Sequence, residues 1–135
     1  MSSTLDWTRW PNFSEHEFAC KGSGLCKMQP GFMDRLQALR TEYGKPLRVT
    51  SGYRSPAHNA AVSSTKSASG PHTTGRAVDL AVSHEDAYRL LALALKHGFT
   101  GIGIAQKGEP KTRFIHLDDL TPADGHTPRP TIWSY

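Results

Sequence analysis

Residues 69–80 read Ser-Gly-Pro-His-Thr-Thr-Gly-Arg-Ala-Val-Asp-Leu, and the rest of the chain is organised around this stretch. His72 and Asp79 stand seven positions apart, and Gly75 between them can take the positive φ that a reversal of the chain needs. Alternating apolar and polar residues predict a strand over 76–82, on which Asp79 shares a face with small alanines. The small alanines leave room for a metal ion on this face. Without such a partner, a carboxylate among apolar residues would be costly.

A second histidine lies downstream, in a predicted strand over 113–118 (Arg-Phe-Ile-His-Leu-Asp). Zinc sites that catalyse reactions use three protein ligands and leave one position for water, which suggests that His72, Asp79 and His116 hold one zinc ion. Asp118 shares the face of His116 and is a candidate general base, or a partner that orients an imidazole.

Each of these residues also has an ordinary structural interpretation. A histidine in mid-strand between aliphatic residues is more often a hydrogen-bonded core residue, and a His and an Asp flank many turns. The remaining histidines are interpreted as surface residues: His16, His58, His84, His97 and His126.

The other predicted elements surround the two histidine motifs. They are a short helix capped by Ser14, a helix over 30–43, a strand over 47–51, helical turns within 57–62, a helix from Ser83 to Gly98, a strand around Ile102 and Ile104, and an edge strand over 132–135. The second long helix has an expected core stripe of Ala87, Leu90, Leu91, Ala94 and Leu95. This order predicts an α+β fold in which helices flank a small antiparallel sheet.

Length and charge limit the classes of function. The chain has 135 residues, so we expect one domain over 1–135, acting as a monomer. No apolar run approaches the ~20 residues that span a bilayer. The net charge of +4 favours anionic partners, but the basic residues are scattered, so we expect no nucleic-acid partner.

Two cysteines, Cys20 and Cys26, flank a loop that contains two glycines. A disulfide, a reduced pair and part of a metal site all stay open. The N-terminus shows no basic segment followed by an apolar core, so we expect no signal peptide, and reduced thiols are the better default on synthesis. A second zinc site would need two more ligands, and only His16 is near in sequence.

Three motifs together resemble one peptidase family. They are residues 51–56 (Ser-Gly-Tyr-Arg-Ser-Pro) with Asn59, the His72 to Asp79 motif within residues 70–79, and residues 114–118 (Phe-Ile-His-Leu-Asp). In this order they resemble the zinc D-alanyl-D-alanine carboxypeptidase and L-alanyl-D-glutamate endopeptidase family. That family includes phage endolysins and murein endopeptidases, and the Hedgehog signalling domain shares its fold.

The resemblance implies a Hedgehog-like, DD-peptidase-like domain that binds Zn²⁺ through His72, Asp79 and His116. It also implies that Arg54 contacts a substrate carboxylate or the developing oxyanion, tasks that suit a planar, permanently charged guanidinium. The implied activity is hydrolysis of peptide bonds in peptidoglycan stem peptides or crosslinks. The implied location is the host cytoplasm on synthesis and the periplasm or cell wall after holin-type release.

The sequence departs from the family at the general base. Many members carry an acidic residue three positions before the last zinc histidine, or a histidine two positions before it, and here these positions hold Arg113 and Phe114. Asp118 is therefore the first candidate base, and the alternatives are Glu109, Asp119 and His126. The missing upstream base also motivates a second hypothesis, a non-catalytic zinc-containing binding module.

Overall fold

The computed structural model describes residues 5–63 and 69–135 and has an α+β architecture in that part of the chain, which confirms the predicted class. The helices are α1 (Glu15–Phe18), α2 (Pro30–Tyr43), α3 (Pro56–Val62) and α4 (His84–Lys96). The strands are β1 (Arg48–Ser51), β2 (Ala77–Ala81), β3 (Gly101–Ala105), β4 (Phe114–Asp118) and β5 (Thr131–Ser134). Among the helices so described, none is both long enough and apolar enough to cross a membrane.

The five strands form one mixed sheet in the order β1-β2-β4-β3-β5. The first four strands pair antiparallel, as predicted, whereas β5 pairs parallel with β3. The connection explains this difference, because Asp118 at the end of β4 and Thr131 at the start of β5 both lie beside Gly101. Since β5 starts where β4 ended, it runs opposite to β4 and therefore parallel to β3.

The long helices begin and end at the residues that the sequence indicated. Pro30 occupies the first turn of α2, where its missing N–H costs nothing, and Gly44 ends the helix with a φ of 77°. Before α1, the backbone N–H of Ser14 donates to Glu17 at 2.8 Å, as in the predicted capping box.

The core lies between the sheet and helices α2 and α4. Its central members are fully buried aliphatic and aromatic side chains: Phe18, Phe32, Met33, Leu36, Leu39, Leu80, Leu90, Ile115 and Leu117. The predicted stripe of α4 is corrected at one position, because Leu95 is 63% exposed whereas its neighbour Ala94 is buried. Leu95 lies about 100° around the helix from Ala94, on the solvent side.

A tight turn at Gly75 joins the 3-10 turn Pro71–Thr74 to β2 and packs against the segment before α2. Gly75 adopts a φ of 75°, and a Cβ atom at this position would lie 2.0 Å from the carbonyl oxygen of Lys27. Gln29 donates its backbone N–H to the Gly75 carbonyl at 2.9 Å. Glycine is therefore required here both by the backbone conformation and by the close approach of residue 27.

Candidate metal centre

Three chain segments bring His72, Asp79 and His116 together. Asp79 on β2 lies directly opposite His116 on β4 in the antiparallel register, so the two side chains share one face of the sheet. His72 reaches the same face from a 3-10 turn over Pro71–Thr74, immediately before the Gly75 reversal. All three side chains are buried, and each offers one ligand atom within 4.8 Å of the other two.

The spacing of the three ligand atoms fits a small tetrahedral ion. Asp79 Oδ1 lies 3.3 Å from His72 Nε2 and 3.1 Å from His116 Nδ1. Ligands that sit 2.0–2.1 Å from a tetrahedral zinc ion are about 3.3 Å apart, so these separations match two edges of such a site. Two imidazoles and one carboxylate are also the type of ligand set that zinc accepts when a position is kept for substrate or water.

Each histidine is oriented through its other ring nitrogen. His72 Nδ1 lies 2.7 Å from the carbonyl oxygen of Gly52, to which it can only donate, and this leaves Nε2 as the ligand atom. His116 Nε2 lies 2.8 Å from Asp118 Oδ2, which leaves Nδ1 facing Asp79. Backbone carbonyls and carboxylates commonly orient metal-binding histidines in this way.

The buried charges shift each other's pKa values. Burial alone would raise the pKa of Asp79, but His72 and His116 outweigh it and hold that pKa well below its usual range. Burial lowers the pKa of His116, whereas its hydrogen bonds to Asp118 and Asp79 raise it, and the net shift is upward. Burial likewise opposes ionisation of Asp118, yet His116 and Arg129 bring its pKa down to about 2.

Arg54 lies beside the three candidate ligands. Its guanidinium donates to Ser51 Oγ and Asn59 Oδ1, both at 3.2 Å, and Nη2 lies 3.7 Å from Asp79 Oδ2. The side chain is 18% exposed, so part of the cationic fork still faces the cavity. This position suits recognition of an anionic group of a ligand.

A cavity of about 360 Å³ opens over the site. The candidate ligands and Arg54 form one side of it. The other described lining residues are Asn59, Val62, Ser63, Gly70, Pro71, Phe114, Trp133 and Tyr135. The volume is within the range of small-molecule and peptide side-chain pockets, and the lining combines a few polar groups with aromatic rings.

Asp118 and the other candidate bases lie outside the described lining of this cavity. Asp118 is fully buried behind His116, and Asp119 is held by Arg76 at 2.8 Å. Glu109 is exposed before the 3-10 turn at residues 110–112, and His126 is in the loop between β4 and β5. Within residues 5–63 and 69–135, Asp79 is the one carboxylate that faces the cavity.

The sequence analysis missed the contribution of β3 and β5 to this site. Gly101 and Gly103 lie opposite Asp118 and His116 in the β3–β4 register. A Cβ atom at Gly101 would meet the Asp118 carboxylate at 2.2 Å, and one at Gly103 would meet Trp133 Nε1 at 2.6 Å. The alternation Gly101-Ile102-Gly103-Ile104 was the available signal, because it marks one face of the strand as bare and the other as apolar.

The two cysteines do not form a second metal site in the described part of the chain. Cys20 and Cys26 are both buried and are not joined by a disulfide in this structure. The group His72, Asp79 and His116 is the one cluster of three potential ligands found among the described residues, and His16 is exposed.

The fold and the site thus define a small α+β domain with a candidate metal centre at the base of a cleft. Comparison with protein families gives a match to the model described as Peptidase M15 over residues 11–118, which is most of the chain. The chain therefore belongs to the Peptidase M15 family, whose members are zinc-dependent metallopeptidases. A comparison with curated proteins finds no match.

Proposed function

We propose that this protein is a zinc peptidase that hydrolyses peptide bonds in peptidoglycan stem peptides or crosslinks, as a phage endolysin or cell-wall endopeptidase does. The observation that carries the proposal is the buried His72, Asp79 and His116 group at the base of an open cavity, with Arg54 at its side. Membership of the metallopeptidase family supports the reaction class. The wall substrate rests on the resemblance of the three motifs to wall peptidases and on the net charge of +4.

In this proposal His72 Nε2, Asp79 and His116 Nδ1 hold the metal. A bound zinc ion supplies Lewis-acid activation of the scissile carbonyl and of an attacking water molecule. The protein orients both imidazoles through Gly52 and Asp118, so that Nε2 of His72 and Nδ1 of His116 face the metal position.

Arg54 binds the negative charge of the substrate. Its guanidinium is fixed by Ser51 and Asn59, so it needs little rearrangement when a stem-peptide carboxylate or the oxyanion of the transition state arrives. A donor that is already oriented stabilises developing charge more effectively than one that must be reoriented during the reaction.

The sequence makes Asp118 the first candidate for the general base, but its surroundings favour the alternative role, the orientation of an imidazole. The carboxylate is fully buried, bonded to His116 and paired with Arg129, so it has no path to a water molecule in the cavity. We propose that Asp118 positions His116. The proton acceptor is then a group that reaches the cavity when substrate is bound, and Glu109, Asp119 and His126 stay as candidates.

The second candidate function is a non-catalytic zinc-containing binding module of the same fold. The observation that favours it is that Asp79, itself a proposed ligand, is the one carboxylate among the described residues that line the cavity. Such a module would bind stem peptides without cutting them.

Metal analysis combined with digestion of purified muropeptides tests the proposal. We expect about one equivalent of zinc, peptide cleavage that a chelator abolishes, and recovery when zinc is added. Asp79→Ala should lose both zinc and cleavage. Asp86→Ala is the matched control, because it removes an aspartate that pairs with Lys45 on the surface, away from the site.

The outcomes separate the two functions. Cleavage that persists in chelator or in Asp79→Ala contradicts a zinc peptidase. Stoichiometric zinc without cleavage of any muropeptide supports the binding module instead. Mass spectrometry of the products identifies the bond among D-Ala-D-Ala, L-Ala-D-Glu and the D-Ala-diaminopimelate crosslink.

A further inference from the structure

Arg129, in the loop that leads into β5, reaches back to the candidate metal centre. Its Nε donates to Asp118 Oδ1 at 3.0 Å and its Nη2 donates to Asp118 Oδ2 at 2.9 Å. The two parallel bonds form a bidentate pair in which the arginine side chain is 9% exposed and the aspartate is fully buried. Arg129 lies beyond residues 11–118, the part of the chain that matches the family model.

Every contact of the Asp118 carboxylate holds it in one orientation. Oδ2 accepts from both Arg129 and His116 Nε2, and Oδ1 accepts from Arg129 and from the backbone N–H of Leu120 at 3.3 Å. With its position fixed from two sides, the carboxylate keeps the proton of His116 on Nε2. The ligand nitrogen, Nδ1, is then free to face Asp79.

The indole ring of Trp133 contacts both Arg129 and His116. The guanidinium of Arg129 lies 5.1 Å from the centre of the Trp133 ring, and that ring lies 5.1 Å from the ring of His116. This contact is a cation–π interaction, and it keeps the guanidinium plane from rotating away from Asp118. The bare backbone of Gly103 provides the space for the indole.

Charge explains why an arginine stands at this position. Asp118 and Asp79 approach opposite nitrogens of one imidazole in the protein interior, so the site holds two carboxylates around one ring. A buried carboxylate without a counter-charge is strongly unfavourable, and Arg129 supplies that charge to the carboxylate that does not bind the metal.

We propose that Arg129 is a positioning residue for the metal centre, which acts through Asp118 to hold His116 in the tautomer and ring orientation that bind zinc. This inference rests on the proposed function, because it assumes that His116 is a zinc ligand. It assigns a role at the site to the segment after β4, which supplies both Arg129 and Trp133.

The experiment measures zinc affinity by competition with a chromophoric chelator and records the visible absorption spectrum of the Co²⁺-substituted protein. Arg129→Met should weaken zinc binding by about 10-fold or more and change the Co²⁺ spectrum, since loss of partners that orient ligands typically costs 10–100-fold in metal affinity. Arg129→Lys, which keeps the charge and loses the bidentate fork, should fall between Arg129→Met and the wild type.

Arg76→Met is the matched control. Arg76 also binds an aspartate of the segment after β4, with its Nε 2.8 Å from Asp119 Oδ1, but it does not touch Asp118 or a candidate ligand. We expect its zinc affinity to stay within about 3-fold of the wild type, as for a residue that acts on stability alone. Circular dichroism verifies that each variant is folded. If Arg129→Met is not folded, the zinc affinity of Arg129→Lys is used for the comparison with the wild type.

Several results would overturn the inference. They are a folded Arg129→Met and Arg129→Lys that bind zinc as tightly as the wild type, an equal loss in Arg76→Met, or a wild-type protein that binds no zinc. The test is separable from the proposed function. If zinc binding depends on Arg129 but the protein cuts no peptide, this inference is supported and the peptidase function is contradicted. If cleavage depends on zinc but the Arg129 variants bind zinc as tightly as the wild type, the peptidase function is supported and this inference is contradicted.

Discussion

Arg54 is a single side chain that its neighbours hold in one orientation beside the candidate metal centre. Ser51 and Asn59 hold its guanidinium, and Asp79 balances part of its charge at 3.7 Å. We expect Arg54→Lys to lower kcat/KM for stem peptides by about 100-fold, because lysine keeps the charge and loses the planar fork that binds a carboxylate or oxyanion. Steady-state kinetics on a purified muropeptide measure this loss.

The control for Arg54 is a similar substitution outside the cleft. Arg48→Lys on β1 changes an exposed arginine and should leave kcat/KM unchanged. Zinc content should be the same in both variants, because neither arginine is a candidate ligand. Wild-type kinetics in Arg54→Lys would show that the guanidinium has no specific task in the reaction.

Cys20 has an environment that favours its thiolate. Burial raises the pKa of Cys20, but hydrogen bonds from Ser23 and Ser55, including the Ser55 N–H at 3.3 Å, outweigh it and lower the pKa to about 6. For Cys26, burial dominates and raises the pKa to about 11. Thiolate absorbance near 240 nm should therefore show a step near pH 6 that Cys26→Ala keeps and Cys20→Ala loses.

The same shift predicts how stability depends on pH. The folded-state pKa of Cys20 lies below the unfolded value of about 8.5, so the thiolate contributes stability that is fully present above that value and is lost as the pH falls through about 6. Cys20→Ala should remove this part of the pH dependence of the unfolding midpoint, and Cys26→Ala should retain it. An unchanged profile in Cys20→Ala would contradict the lowered pKa.

At the scale of an element, the glycines of β3 leave space for side chains of the site. Gly101→Ala would place a Cβ atom 2.2 Å from the Asp118 carboxylate, so either the strand or the Arg129–Asp118–His116 contacts must move. We expect a loss of about 1–3 kcal/mol in the free energy of unfolding, the usual cost of overpacking, together with weaker zinc binding. Denaturant unfolding and chelator competition measure the two effects.

Gly31→Ala provides the contrast. Gly31 lies in the first turn of α2, and a Cβ atom there would meet no heavy atom within 4 Å outside its chain neighbours and its own helix backbone. Alanine is the better helix former, so stability should rise or stay the same within about 1 kcal/mol. If Gly101→Ala is as harmless as Gly31→Ala, the bare face of β3 has no role in holding Asp118.

The elements differ in how well the sequence predicted them, and the reason is physical. Local signals define α2. Pro30 fits the first turn because no N–H is needed there, and Gly44 fits the end because it adopts a positive φ, and both requirements involve only neighbouring residues. Strand alternation and the Gly75 turn are also local, and they predicted that His72 and Asp79 converge. The addition of His116 rested on the resemblance of the three motifs to one family, because the pairing of β2 with β4 is long-range. The parallel pairing of β5 and the contacts of Arg129 depend on how residues 119–130 cross the end of the sheet, and no local pattern encodes that path.

Leu95 shows a related limit. Helical periodicity places it beside Ala94 in a stripe that is broad enough to include both residues. Whether the edge of such a stripe is buried depends on which element packs there, and the structure leaves Leu95 63% exposed. Periodicity thus gives the direction of the core but not its width.

The net charge of the whole molecule acts over longer distances than any single contact. The net charge is +4, and the basic residues are dispersed along the sequence rather than gathered in one run. A dispersed positive charge attracts an anionic surface from a distance without fixing a binding geometry. If the substrate is the anionic wall, this attraction concentrates the protein there before the cleft takes up a peptide.

Salt should therefore act on the wall reaction more than on the peptide reaction. Raising the ionic strength from about 0.05 M to about 0.5 M shortens the screening length from more than 10 Å to less than 8 Å. We expect the rate of wall lysis to fall by about 10-fold, and the rate on a short uncharged stem-peptide analogue to change by less than about 2-fold.

The exposed lysines Lys107 and Lys111 lie on the segment between β3 and β4, and the double change Lys107→Gln and Lys111→Gln lowers the net charge from +4 to +2. That variant should lose part of the salt dependence, whereas Lys107→Arg with Lys111→Arg should keep all of it. Equal salt sensitivity on wall and peptide would mean that the charge acts inside the cleft, at Arg54, and not by attraction to the wall.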